Sequence, residues 1–127
     1  MSNFEDVKTF MKVFKQEVKE RPEFPDNEVI GLRVALIQEE LDELCVAVDE
    51  NDIVGIADAL ADILYVTYGA AASFGIDLDA CFAEVHRSNM SKLNAEGKPV
   101  YRVDGKILKS NLYTPPDLKK VLFGDIG

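Results

Sequence analysis

Apolar residues recur at every third or fourth position over most of the first 95 residues, which is the period of amphipathic helices. The pattern predicts helices over about 3–20, 28–48, 53–74 and 78–97. A capping box at Ser2 and Glu5 opens the first helix, and Gly75 ends the third. Only a short polar connection separates the second and third helices, which are therefore expected to be antiparallel neighbours.

After Gly97 the pattern changes. Apolar and polar residues alternate around Asp104-Gly105, which predicts a hairpin with a two-residue turn. The residues around Pro115 and Pro116 predict an extended arm with one short helical turn. The expected fold is a single all-α domain over residues 1–127: an antiparallel helical bundle at about 3–95, then the hairpin and arm at about 97–127.

The second and third helices each carry acids on a stripe shared with apolar or small residues. Glu39, Glu40 and Glu43 fall on one arc of the second helix with Leu32, Leu36 and Ala47, and apolar residues cover the opposite side. Asp58 and Asp62 share a stripe of the third helix with Gly55, Tyr65 and Gly69. Little of the second helix is expected to face solvent, so both helices should aim acids inward.

Several carboxylates in an apolar bundle are strongly unfavourable without compensation, because each loses hydration and like charges repel. Neither helix offers a base on the acid face by this interpretation, which leaves protonation or divalent cations. Hard oxygen ligands suit Mg²⁺, Mn²⁺ or Ca²⁺, and we favour a metal site. One acid, Glu39 or Glu40, could instead be a solvated charge at the rim. Asp42 points about opposite to Glu40 and is predicted to be a surface residue.

The chain is acidic, with a net charge of −9 and a pI of about 4.5. This charge argues against nucleic acid or an anionic membrane surface as the main partner. Charges interrupt the apolar runs, so no membrane span is expected, and no secretory leader is recognised at the start. Cys45 and Cys81 each lie alone in a helical pattern, so we expect both to be reduced thiols. These features predict a cytoplasmic protein, in a cell or an infected host.

The fourth helix and the hairpin add candidate substrate contacts. An apolar stripe of Leu78, Phe82, Val85, Asn89 and Leu93 predicts that Asn89 faces inward, with Lys92 at the edge. An inward amide and a rim lysine suit a base or a phosphate. Lys106 and Lys109 could close over a phosphate tail, and Tyr65 shares the acid stripe of the third helix.

Two motifs carry a family resemblance. Glu39-Glu40-x-x-Glu43, followed by the run from Ala57 to Tyr65, resembles the signature of the all-α nucleoside triphosphate pyrophosphohydrolases. That superfamily includes MazG, dimeric dUTPase and phosphoribosyl-ATP pyrophosphohydrolase. The run from Glu84 to Lys92, with Asp104-Gly105-Lys106, is similar to small single-domain members from phages and bacteria. One departure is that Ala59 stands where the family often has a Glu three residues before Asp62.

The resemblance implies a helical homo-oligomer, dimer or tetramer, that cleaves a nucleoside triphosphate to monophosphate and pyrophosphate with Mg²⁺ or Mn²⁺. It implies a metal set of Glu39, Glu40, Glu43 and Asp62, with Asp58 able to reach the same face, and nucleotide contacts at Asn89 and Lys92. Glu39, Glu40 and Glu43 are the candidate catalytic residues, with Glu39 as the proton acceptor. A purine deoxynucleotide such as dGTP is the leading substrate hypothesis.

Alternatives remain open at this point. Within the enzyme class, the substrate could be dUTP or phosphoribosyl-ATP. In another class, a non-catalytic helical oligomer could sense a nucleotide in the acidic pocket. A ferritin-like di-iron protein is set aside, because it needs Glu-x-x-His pairs and the chain has one histidine, His86, two residues after Glu84.

Overall fold

The computed structural model describes residues 1–124. Its elements are α1 (Asn3–Val13), α2 (Asn27–Asp49), α3 (Ile53–Phe74), α4 (Leu78–Met90), β1 (Val100–Tyr101), β2 (Ile107–Leu108) and α5 (Leu118–Phe123). The all-α class is confirmed, since the only sheet among the described residues is a pair of two-residue strands. The described residues form two compact units, one over Met1–Leu78 and one that begins at Asp79.

A three-residue turn reverses the chain between α2 and α3. Asn51 adopts the left-handed conformation (φ 54°), and its N–H donates to the carbonyl of Val48 while that of Asp52 donates to the carbonyl of Ala47. This pair of bonds is a Schellman ending, with Asn where Gly is usual. The Asp52 side chain then caps α3 by accepting from the amide of Gly55 at 3.0 Å. One aspartate thus closes one helix and opens the next, and the two helices become the predicted antiparallel neighbours.

The first helix ends at Val13, and the prediction that it continues to about Glu20 is wrong. The Ser2 hydroxyl accepts from the amide of Glu5 at 3.1 Å, so the predicted start is correct. A second Schellman ending, with Lys15 in the left-handed region (φ 61°), stops the helix. The apolar spacing still runs on to Val18 because that side chain packs against the same core from the segment that follows.

The core of the first unit lies between α1 and the carboxyl half of α3. Phe4, Val7 and Met11 of α1 are buried against Ala71 and Ala72 of α3. Small residues on α3 let α1 approach closely, and a ring of half-buried residues closes the cluster. The second helix, α2, also packs against α3, and its contacts include Ser73 in the carboxyl half of α3.

The outer sides of α2 and α3 carry exposed apolar residues, so the expectation that little of α2 faces solvent is wrong for the single chain. The exposed fractions are 44% for Leu41, 52% for Val48, 74% for Ile53, 76% for Val54 and 49% for Leu60. Both helices of the pair thus expose apolar side chains, and exposed apolar patches in proteins often mark interaction sites.

The same composition makes α3 long and apolar enough to cross a membrane by length and hydropathy alone. A single such helix is weak evidence, because the central helix of a soluble protein passes the same test. Here α3 contacts both α1 and α2 and carries Asp58 and Asp62 within its length.

In the second unit, α4 ends at Met90, so the predicted helix to residue 97 is too long. Asn94 turns the chain by accepting from the amides of Glu96 and Lys98 at 3.0 Å each. The predicted inward stripe is also wrong: Phe82 is 71% exposed and Asn89 is exposed, whereas Cys81 and Ser88 are the buried residues of α4.

The C-terminal arm explains which face of α4 is buried. Ser88 Oγ donates to the carbonyl of Thr114 at 2.8 Å, and Arg87 donates to Thr114 Oγ1 and to the carbonyl of Pro115. Glu84 Oε2 accepts from the amide of Asp117 at 2.7 Å. The arm therefore lies along the polar side of α4, a position that apolar periodicity does not indicate.

The hairpin forms at the predicted place, but with a longer turn than the predicted two residues. Val100 pairs with Leu108 and Tyr101 with Ile107, while the amide of Gly105 donates to the carbonyl of Arg102. Gly105 has φ 89°, as in three-residue turns that end with a left-handed glycine. The predicted short helix of the arm is α5, which Asp117 caps.

Candidate functional site

Three carboxylates from two helices meet where α2 crosses α3. Glu40 and Glu43 lie one turn apart on α2, and Asp62 faces them from α3; one oxygen from each lies within 4.8 Å of the others. The antiparallel turn at Asn51 and Asp52 places these helix faces together. Hard oxygen donors at this spacing suit a Mg²⁺ or Mn²⁺ ion.

Glu40 is the most perturbed member of this acid cluster. Desolvation, a hydrogen bond with the Glu43 carboxyl, and the negative charges of Glu43, Asp62 and Asp58 raise the pKa of Glu40 to about 7. Its Oε2 atom is buried and has no hydrogen-bond partner among the described residues. A buried acceptor without a donor is costly, and a cation would satisfy it. The residues present therefore fit a divalent metal.

Asp58 and Glu39 stand at the edge of the cluster. Asp58 lies one turn before Asp62, close enough for its charge to raise the pKa of Glu40, but outside the group of three. It lines a cavity of about 350 Å³ with Glu43, and small residues such as Ala59 form part of the wall. Glu39 is exposed and also lies outside the group. The structure thus brings together three of the five predicted metal ligands.

Asp42 is exposed, and the prediction that it is a surface residue is confirmed. Its Oδ1 atom accepts from Gln38 Nε2 at 2.9 Å along the outer side of α2. Asp42 also lines the 350 Å³ cavity with Glu43 and Asp58, and it lies outside the group of three.

A buried base on the acid face of α2 is a feature that the sequence analysis missed. Arg33 is only 8% exposed and lies seven residues before Glu40, which is about the same face of a helix. Arg33 Nε donates to Ser73 Oγ at 2.9 Å, and Nη2 donates to Gln16 Oε1 at 3.2 Å. Burial lowers the pKa of the Arg33 guanidinium. The position of Arg33, seven residues before Glu40, is the sequence signal that could have placed it on the acid face.

Gly69 makes room for this arginine. A Cβ atom at Gly69 would lie 2.7 Å from Arg33 Nη1. Since Ser73 and Gln16 hold the guanidinium, it cannot move aside freely. Arg33 therefore fastens α2 to α3 and to the segment after α1, and its hydrogen bonds go to neutral groups rather than to the acid cluster.

The predicted nucleotide contacts lie in different places. Tyr65 is on α3, where its ring meets that of Phe10 edge-on at 5.7 Å, on the side towards α1. Asn89, Lys92, Lys106 and Lys109 belong to the second unit. Lys92 is half-buried, Lys106 is exposed, and Lys109 Nζ lies 4.6 Å from the centroid of the Tyr113 ring.

Comparison with known proteins identifies the family. The family model described as phosphoribosyl-ATP pyrophosphohydrolase matches residues 7–89, which include the whole acid cluster. The chain belongs to the phosphoribosyl-ATP pyrophosphohydrolase family. That family is part of the MazG-like nucleoside triphosphate pyrophosphohydrolases, as the acidic motif indicated.

A viral protein is similar over most of this chain. An uncharacterized protein of Acanthamoeba polyphaga mimivirus is 34% identical over 127 residues, which cover 95% of this chain and 48% of the viral protein. The chain thus spans about half the length of this curated relative. The match carries no information about the substrate.

Proposed function

We propose that the protein is a metal-dependent pyrophosphohydrolase that cleaves the α–β phosphoanhydride of a deoxynucleoside triphosphate, with dGTP as the leading substrate. The supporting observation is the meeting of Glu40, Glu43 and Asp62 around the buried, unpartnered Glu40 Oε2, inside the segment that the family model matches. The expected products are the monophosphate and pyrophosphate.

The acid cluster requires a cation before it can accept a triphosphate. Glu40, Glu43 and Asp62 would hold Mg²⁺ or Mn²⁺, and Asp58, which lines a cavity with Glu43, would join them. A divalent cation there would neutralise phosphate charge and favour ionisation of the attacking water. Without it, the carboxylates would repel the phosphates of the substrate, because like charges repel.

Glu39 is proposed as the proton acceptor. It lies next to the cluster in sequence, is exposed, and stands outside the group of three, so it is available for proton transfer rather than for coordination. Water attacks the α-phosphorus, the bond from that phosphorus to the bridging oxygen breaks, and pyrophosphate leaves with the electron pair. Glu39 takes the proton of the attacking water.

The substrate contacts proposed for the second unit are Asn89, Lys92, Lys106 and Lys109. An amide and three ammonium groups can bind phosphate oxygens or a base edge. Tyr65, one turn from Asp62 on α3, is proposed as a contact for the nucleoside.

We propose further that the protein works as a cytoplasmic homo-oligomer, dimer or tetramer. The apolar surface formed by Leu41, Val48, Ile53, Val54 and Leu60 is exposed in the single chain and covers the outer sides of the two site-bearing helices. A second copy that buried this surface would stabilise the helix pair, since burial gains about 25 cal/mol per Å². The net charge of −9 disfavours nucleic acid as a partner.

The test is a substrate panel with product analysis. The four common deoxynucleoside triphosphates, dUTP, the ribonucleotides and phosphoribosyl-ATP are incubated with Mn²⁺, and the products are separated by chromatography. The proposal expects monophosphate and pyrophosphate in equal amounts, fastest from dGTP. Diphosphate with inorganic phosphate as products would contradict the bond assignment. Binding without any cleavage would favour a nucleotide sensor.

A further inference from the structure

A small groove lies between α1 and α3. Val7 of α1 with Leu64, Tyr65 and Tyr68 of α3 form its apolar and aromatic walls, and Asn3 and Asp6 lie at its polar rim. Its volume is about 190 Å³, below the roughly 300–1,000 Å³ of pockets for drug-sized ligands. The groove is suited to one flat ring system rather than to a whole nucleotide.

Contacts with α1 hold the two tyrosine rings in place. Tyr68 stacks on Phe4 with ring centroids 5.8 Å apart, and Tyr65 meets Phe10 edge-on at 5.7 Å. Phe4 itself is buried in the core, so the wall is fixed before any ligand arrives. Because the rings are already held in place, little conformational entropy is lost when a ligand binds. A nucleobase can stack on such a wall, since every base has a flat π-face.

The groove and the acid cluster share α3. Tyr65 lies three residues after Asp62, and side chains three or four apart are neighbours on a helix. One ligand could therefore place a charged end at the acid cluster and a ring at the groove. A deoxynucleotide has this division, with phosphates at one end and a base at the other.

The polar rim indicates which base fits. Asn3 and Asp6 are three residues apart on α1, so their side chains are neighbours too. The carboxylate of Asp6 only accepts hydrogen bonds, whereas the Asn3 amide can also donate. Guanine presents a carbonyl oxygen next to two donors, N1–H and the exocyclic amine. Uracil and thymine place a single N–H between two carbonyl oxygens, and adenine and cytosine have a ring acceptor beside their amine.

We propose that the α1–α3 groove is the base subsite of the nucleotide site and that it binds guanine. Asp6 accepts from N1–H and the exocyclic amine, Asn3 donates to the carbonyl oxygen, and the ring lies against Tyr65 and Tyr68. The inference rests on the proposed function for the position of the phosphates, but the groove itself can be tested without any phosphate.

The probe is deoxyguanosine, which has no phosphate, compared with deoxyuridine. Binding is followed by the aromatic NMR signals of Tyr65 and Tyr68 in the wild-type chain and in Glu43→Gln, whose acid cluster is altered. We expect deoxyguanosine to shift both tyrosines equally in the two proteins, and deoxyuridine to shift them at least tenfold less at the same concentration. Shifts of other residues alone, or equal shifts with both nucleosides, would overturn the proposal.

Asp6→Asn tests the hydrogen-bonding rim. Losing a charged acceptor should weaken deoxyguanosine binding by about 10–100-fold. Asp79→Asn is a matched control, since Asp79 is likewise an exposed acid in the first turn of a helix, α4, and should leave binding unchanged. Circular dichroism checks that both variants are folded. Equal affinity of Asp6→Asn and the control would overturn the role of Asp6.

The design separates this inference from the proposed reaction. Deoxyguanosine binding at the groove in a chain that releases no pyrophosphate from any nucleotide would reject the hydrolase and keep the base subsite. Pyrophosphate release without nucleoside binding at the groove would reject the base subsite and keep the hydrolase. A second copy could fill the groove instead. In that case the Tyr65 and Tyr68 signals would shift with protein concentration but not on addition of deoxyguanosine, and this result would also reject the subsite.

Discussion

Glu40 on α2 and Asp62 on α3 present carboxylate oxygens within 4.8 Å of each other across the helix contact, together with Glu43. This approach of like charges is unfavourable for the metal-free protein, and it is a consequence of the turn at Asn51 and Asp52. The protein thus holds acids together at a cost that a cation would remove.

The first prediction concerns stability and pH in the metal-free protein. Desolvation, then Glu43 and Asp62, raise the folded-state pKa of Glu40 from its ordinary value of 4.5 to about 7. Between these values the unfolded chain has lost the proton that the folded chain keeps, so stability should fall as pH rises from about 4.5 to 7. Glu40→Gln should remove this part of the fall, measured as melting temperature in EDTA across that range. If the melting temperature of the variant fell with pH as much as that of the wild type, Glu40 would not be the cause of the fall.

A second prediction follows for added metal. A cation must displace the proton of Glu40, so Mn²⁺ should raise the melting temperature more at pH 8 than at pH 5.5. Thermal shift with Mn²⁺, Mg²⁺ and EDTA measures this difference. An equal shift at both pH values would mean that the ion binds elsewhere.

The third prediction distinguishes three kinds of acid: a metal ligand, the proton acceptor and a surface residue. Glu43→Gln should lower turnover by more than about 100-fold, a loss of roughly 2.7 kcal/mol in transition-state stabilisation, and should weaken Mn²⁺ binding. Glu39→Gln should lower kcat while Mn²⁺ affinity stays unchanged. Asp42→Asn should be nearly silent in both assays, because Asp42 pairs with Gln38 on the outer side. A strong loss in Asp42→Asn would contradict the assignment.

The fourth prediction concerns Arg33. Arg33→Met keeps much of the buried aliphatic volume but removes the hydrogen bonds to Ser73 and Gln16, and should cost about 1–3 kcal/mol of unfolding free energy. Urea denaturation measures the loss. Arg21→Met, at an exposed arginine, is the control and should change stability little. Equal stability of the two variants would show that Arg33 does not fasten the helices.

The fifth prediction concerns the arm of the second unit. A hydrogen bond from Arg87, then one from the amide of Asp117, lowers the pKa of Glu84 to about 2. A lowered acid contributes stability above its ordinary pKa of 4.5, and this contribution is lost as pH falls towards 2. Glu84→Gln should therefore speed hydrogen exchange at the amide of Asp117 at pH 7. Unchanged exchange there would mean that other contacts, such as Ser88 to Thr114, hold the arm alone.

The sequence predicted the parts of the fold that depend on local signals. The starts and ends of α2 and α3 follow from apolar periodicity and from Gly75, and the hairpin follows from Asp104-Gly105. The end of α1 was missed because a lysine, not a glycine, adopts the left-handed conformation at residue 15. The buried face of α4 was missed because polar contacts with the arm cover Ser88, while Phe82 and Asn89 stay exposed.

The candidate site was predictable only in part. Helical spacing placed Glu40, Glu43 and Asp62 on facing arcs, and the structure brings them together. Spacing alone could not decide which acids come within coordinating distance, since that depends on the rotation of each helix at the crossing. The unpartnered Oε2 atom of Glu40 and the burial of Arg33 are likewise properties of packing between helices.

The most direct measurement is pyrophosphate release from dGTP by the wild-type chain and by Glu43→Gln, each in Mn²⁺ and in EDTA. The wild type should release pyrophosphate with dGMP in Mn²⁺, and almost none should be released in EDTA or by Glu43→Gln. Release that persists in EDTA, or at the wild-type rate in Glu43→Gln, would contradict the claim that the acid cluster is the metal-dependent site.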